Sequence, residues 1–172
     1  MDQHECKTIP NYKTIETAWD AQFLVRYHTV PLNFERQTVG AHSYAVTVLI
    51  DQLWPDSSKQ LLQAALYHDV PEIILGDIPA TAKWDNADLT RAFTKAEEKV
   101  FNDLELQFYL SKEEKDKLKM ADMLELVMYA HRHLYLGRLM AEIKKTGVHY
   151  LNDMFKDNPH FPPVKTIIQT LD

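Results

Sequence analysis

Cysteine is almost absent from this chain: Cys6 is the only one in 172 residues. No intramolecular disulfide can form, so the expected home is a reducing interior, the cytoplasm, or a host cytoplasm if the gene is viral. Glycine is scarce too, at 4 residues, beside 8 prolines, which removes collagen-like and Gly-rich hairpin architectures. No apolar run approaches the ~20 residues of a bilayer-spanning helix. The opening stretch, MDQHECKTIPNYK, lacks the apolar core of a signal peptide. No membrane partner is expected. Positive charge is the minority sign, since 19 Lys and Arg stand against 25 Asp and Glu for a net −6. A nucleic acid polymer is therefore not expected as a partner. A small phosphorylated ligand is still admissible, because a local cationic pocket can sit on an acidic protein.

With 45% hydrophobic and 26% charged residues, the chain suits one domain over residues 1–172. No segment alternates apolar and polar residues long enough to argue a sheet, whereas three- and four-residue spacing recurs. Thr14 can cap a first helix carrying Ile15, Trp19, Phe23 and Tyr27 and ending before Pro31. A second helix runs from about Gly40 to Trp54, and a third starts at Asp56 or Ser57 and bears Leu61, Leu62, Ala65 and Leu66. Pro71, Gly76 and Pro79 break the stretch to Asn86 into turns. Leu89, Phe93, Ala96, Val100 and Leu104 mark a long helix. Ser111 with Glu114 forms a capping-box pattern opening another, expected to reach Lys145 and stop at Gly147. An amphipathic piece with Val164, Ile167, Ile168 and Leu171 follows Pro162 and Pro163. The fold class is all-α.

Four polar residues stand where apolar ones belong. His42 shares its face with Ala45, Val46, Leu49 and Leu53; His68 follows Leu61, Ala64 and Ala65; Asp69 sits with Leu62, Ala65 and Leu66; Asp122 lies in a stripe with Leu118, Leu126 and Tyr129. A buried carboxylate without a partner is costly, so these acids require cations or donors nearby. Two imidazoles and two carboxylates suit Zn, Mn, Fe or Co better than a thiolate-seeking ion. Any one of them alone reads as an ordinary hydrogen-bonded core residue. Neighbours on a helix point about 100° apart, so His68 and Asp69 can meet one ion only where their helix ends, and Pro71 supplies that end.

In this order, His42, then His68-Asp69, then Asp122 resemble the H…HD…D signature of the HD-domain metal-dependent phosphohydrolases. The run HDVPEIILGDIPATAK, from His68 to Lys83, is similar to the HDxxE…GDxPxxxK segment of their 5′-deoxynucleotidase branch. Arg26-Tyr27 precedes the first histidine as an Arg-aromatic pair does there. The resemblance covers roughly Ile15 to Arg132 and implies an HD-domain helical bundle. It also implies a divalent ion (Zn, Co or Mn) on His42, His68, Asp69 and Asp122. Glu72 would be general base or water-positioner and Asp77 its partner in proton traffic. A second Mg, Co or Mn ion could bridge these two acids and substrate phosphates. Arg26 and Lys83 would hold phosphate, with Lys119 a weaker candidate, and Tyr27 would pack on the sugar. Without the HD pair, Glu72 and Asp77 are solvated turn residues, Arg26 and Lys83 surface cations, and Tyr27 a core aromatic. Further histidines at the places used by two-metal phosphodiesterases, and the GYP motif of the cyclic-dinucleotide branch, are missing.

The resemblance therefore implies hydrolysis of 2′-deoxynucleotides at the phosphorus attached to the 5′ oxygen. The short chain and the run Arg26-Tyr27-His28-Thr29 resemble compact phage-type dATP triphosphohydrolases, which release deoxynucleoside and triphosphate. A 5′-deoxynucleotidase acting on dNMPs is the alternative, and a non-catalytic nucleotide-binding HD protein is the alternative of another class. A ppGpp-type hydrolase ranks below these, because Pro71-Glu72-Ile73 stands where a Glu-Asp pair is usual. Self-association to a homo-oligomer is expected.

Overall fold

The computed structural model describes residues 11–26, 36–78 and 86–171, and every regular element among them is helical. The helices are α1 (Tyr12–Ala21), α2 (Val39–Leu53), α3 (Lys59–Tyr67), α4 (Glu72–Leu75), α5 (Ala87–Asp103), α6 (Lys112–Arg132), α7 (Arg138–Phe155) and α8 (Pro162–Thr170), with a 3₁₀ turn at Leu134–Leu136. None is long and apolar enough to cross a membrane. The chain divides into two compact units: Met1–Gly40 with Asp69–Gln107, and Ala41–His68 with Phe108–Asp172.

In the first unit α1 starts earlier and stops sooner than the sequence suggests. Asn11, not Thr14, is the cap, its side chain accepting from the Lys13 amide at 3.0 Å. Thr14 instead lies buried inside the helix and donates to the Leu104 carbonyl at 2.9 Å. Small residues form the packed face of α1, Thr14 and Ala21 being its buried positions. The apolar stripe therefore faces outward: Ile15, Trp19 and Phe23 are 51%, 63% and 62% exposed. After Ala21 the chain meets itself. Val25 bridges Thr38, and Arg26 and Val39 donate backbone N–H to Gln37 and Leu24 at 2.9 and 2.8 Å. A Cβ at Gly40 would come 2.8 Å from the Gln22 Cβ, so only glycine fits there. Asn86 caps α5 through the Leu89 amide at 2.9 Å, and Phe93, Val100 and Leu104 are buried along it.

The second unit holds the larger core. Val46 and Ile50 of α2, Leu61 and Ala65 of α3, Met120, Leu124 and Val127 of α6, Leu151 of α7, and Val164 and Ile168 of α8 form one buried cluster. Each of the Val, Leu, Ile and Met side chains contributes about 1.5–3 kcal/mol by leaving water, which fixes α2, α3 and α6 as rigid carriers of whatever they display. Ser58 rather than Asp56 or Ser57 caps α3, accepting from Leu61 N at 3.1 Å. The capping box at α6 has both halves, Glu114 N to Ser111 Oγ at 3.2 Å and Ser111 N to Glu114 Oε2 at 2.9 Å.

One expectation is overturned here. The helix from Ser111 does not run to Gly147; it ends at Arg132, and Gly137 at φ +103° turns the chain into α7. That dihedral is the region an L side chain rarely adopts. Gly147 sits inside α7 as a close-approach residue, since a Cβ there would fall 2.6 Å from Val127 Cγ2.

Candidate metal centre

Three rigid helices of the second unit deliver the donors. His42 stands near the start of α2, fully buried on the face of Val46 and Ile50. His68 is the residue that closes α3. Asp122 lies midway along α6, a quarter exposed, within the stretch that buries Met120, Ala121, Met123 and Leu124.

His42 Nε2 is 3.3 Å from His68 Nε2 and 3.3 Å from Asp122 Oδ1, and His68 Nε2 is 4.0 Å from the same oxygen. The far nitrogens are engaged. His68 Nδ1 lies 2.8 Å from the Ala65 carbonyl, an acceptor only, so the proton of this imidazole sits on Nδ1 and the Nε2 lone pair faces inward. His42 Nδ1 lies 2.7 Å from Glu125 Oε2. Two ligands each about 2.1 Å from a tetrahedral zinc stand about 3.4 Å apart. The two 3.3 Å separations match that spacing and the third is wider, and lone pairs facing one another call for a cation among them. The donor set fits a divalent ion.

Burial alone would raise the Asp122 pKa. Effects led by the Lys119 charge outweigh it, and the carboxyl is held well below its usual range. Lys119 Nζ reaches Asp122 Oδ2 at 3.3 Å. An ionised acid is the form a metal requires.

Asp69 follows His68 in the turn after α3 and is partly buried. Glu72, buried, opens α4, its N–H donating to the Asp69 carbonyl at 3.0 Å. Asp77 is partly buried and follows Gly76, whose φ is +82°. Arg26 is partly buried beside the Val25–Thr38 bridge, with Nη1 3.5 Å from Gln37 Oε1. Tyr27 and Lys83 lie outside the described residues. Sequence reasoning passed over Glu125. Its signal was a carboxylate inside the apolar run Met123-Leu124-Glu125-Leu126-Val127, one turn beyond Asp122.

The family model for 5′-deoxynucleotidase YfbR-like proteins matches residues 22–137. No curated protein matches the chain. Among solved structures, a protein of Pyrococcus horikoshii OT3 is similar at 20% identity, with 92% of this chain and 96% of that one covered and a TM-score of 0.69. The cyanophage S-2L HD phosphohydrolase DatZ, solved with dA and one catalytic Zn²⁺ ion, is similar at 19% identity, covering 91% and 95%, with a TM-score of 0.68. A conserved hypothetical protein of Pyrococcus furiosus follows at 20% identity, 94% and 98% covered, with a TM-score of 0.60. At these identities the likeness concerns the fold.

Proposed function

Because the chain belongs to the YfbR-like 5′-deoxynucleotidase family, we propose that it is a metal-dependent phosphohydrolase of 2′-deoxynucleotides, built as a single HD-type domain. The observation that carries the reading is the convergence of His42 Nε2, His68 Nε2 and Asp122 Oδ1 within 3.3–4.0 Å. These three and Asp69 would hold the ion. A divalent cation bound there supplies a lowered pKa for bound water and screens negative charge on phosphorus; its identity lies among Zn, Co and Mn.

The protein's own groups do the rest. Glu72 orients the attacking water and takes its proton, and Asp77 passes that proton on. Arg26 grips phosphate oxygens through its planar fork, and Lys83 adds a compact charge. Tyr27 packs on the sugar where a 2′-hydroxyl would stand. Water attack at the α-phosphorus of a triphosphate, with the bond to the 5′ oxygen breaking and that oxygen taking up a proton, releases deoxynucleoside and triphosphate; the same bond change on a monophosphate releases deoxynucleoside and orthophosphate.

The triphosphate is the substrate we favour, on the Arg26-Tyr27-His28-Thr29 run. The matching family description favours the monophosphate as a second reading. Incubation with each dNMP and dNTP separates them. Deoxyadenosine and triphosphate from dATP is the expected result; orthophosphate from dAMP with intact dATP would hand the case to the 5′-deoxynucleotidase. Nucleotide binding without turnover in Mn, Co or Zn would leave a non-catalytic nucleotide-binding protein. The active particle is proposed to be a homo-oligomer, which light scattering on the purified chain checks.

A further inference from the structure

We propose that Glu125 is the positioning residue of the metal centre, acting through His42. The inference rests on the metal-dependent reading above and adds to it a residue that the four-ligand signature does not contain.

Glu125 Oε2 lies 2.7 Å from His42 Nδ1, and the two side chains are 7% and 0% exposed. An ionised carboxylate only accepts, so this contact requires the proton of His42 to reside on Nδ1. The Nε2 lone pair is then directed at the point shared with His68 and Asp122. Asp122 and Glu125 are three residues apart on α6, so one rigid helix carries both a direct donor and the group that orients another donor. The core residues Leu124 and Val127 beside Glu125 are fully buried and hold that register.

The two imidazoles are unequal in consequence. His68 is oriented by a neutral backbone carbonyl at 2.8 Å, His42 by a carboxylate. A carboxylate behind an imidazole raises its basicity as a ligand and fixes its ring, so His42 is the stronger of the two nitrogen donors. Burying a charge of this kind is costly, and a hydroxyl or amide could have satisfied the same N–H.

Two readouts on the full chain test this, neither of them turnover. In metal-free protein, ¹⁵N NMR of the histidine rings should find His42 protonated at Nδ1; in Glu125→Met the population should move toward Nε2–H. Competitive Zn²⁺ titration against a chromophoric chelator should show binding weakened about 10–100-fold in Glu125→Met and Glu125→Gln, the range for losing such an outer partner. The near-isosteric Gln variant keeps the test alive if the Met variant fails to fold, with circular dichroism melting as the check. An unchanged His42 tautomer in folded Glu125→Met, or zinc affinity within about twofold of wild type in either folded variant, would overturn the proposal. Failure of the deoxynucleotide reading would show separately, as wild-type protein that binds metal and hydrolyses nothing.

Discussion

Asp122 is asked to be both half-hidden and charged, and its surroundings settle the conflict. Partial burial pushes its pKa up, but effects led by the Lys119 charge push it down further. A depressed folded-state pKa contributes stability that is complete above the unfolded value, 3.8, and is lost as pH falls through the lowered one. In metal-free protein, the stability gap between wild type and Asp122→Asn should therefore be constant from neutral pH to about pH 5 and narrow only below about 4. Urea unfolding across that range checks it; a gap closing between pH 6 and 7 would assign the effect to the histidines instead. Glu72 is the other residue with a sharp expectation. Glu72→Ala should lower turnover at least ~10²-fold, the lower end for a lost acid–base group, with metal content near normal; loss of metal as well would make it a ligand. His42, His68 and Asp122 were legible because a polar residue on an apolar face stands out. Glu125 was not, because its role exists only through a histidine 83 positions away.

Helix placement was legible where one strong signal stood alone. Ser111 with Glu114 gives the start of α6, and the apolar steps from Leu89 to Leu104 lie within two residues of the bounds of α5. The α6–α7 junction was hidden because apolar residues continue through Leu134, Leu136, Leu139 and Met140, so Gly137 looked like one more helical position. The stripe on α1 misled for a different reason. Periodicity reports a face, not which side of it meets the core, and here Thr14 and Ala21 made the contact. Gly147 marks a close approach of α7 to α6, with 2.6 Å between a virtual Cβ and Val127 Cγ2. Valine is stiff in a helix and cannot swing aside. Gly147→Ala should destabilise the fold by about 1–3 kcal/mol, and Val127→Ala in the same chain should restore part of it. Chemical denaturation reads both; an additive or larger loss in the double variant would refute the clash.

At the scale of the whole molecule, net charge and metal linkage make the checks. With 25 acids against 19 bases, duplex DNA should not bind at physiological salt. An ion that binds the folded chain alone stabilises it by about 2.7 kcal/mol at a hundredfold excess over Kd. Chelation should accordingly lower the melting temperature, and readdition of Zn, Co or Mn should restore it; a melting curve indifferent to all three would argue against a bound ion.

Anomalous diffraction from crystals grown with zinc puts the question directly to the atoms. One peak is expected per chain, about 2.0–2.2 Å from His42 Nε2, His68 Nε2 and carboxylate oxygens of Asp69 and Asp122. Crystals showing no peak at these side chains under saturating zinc, cobalt or manganese would contradict the account.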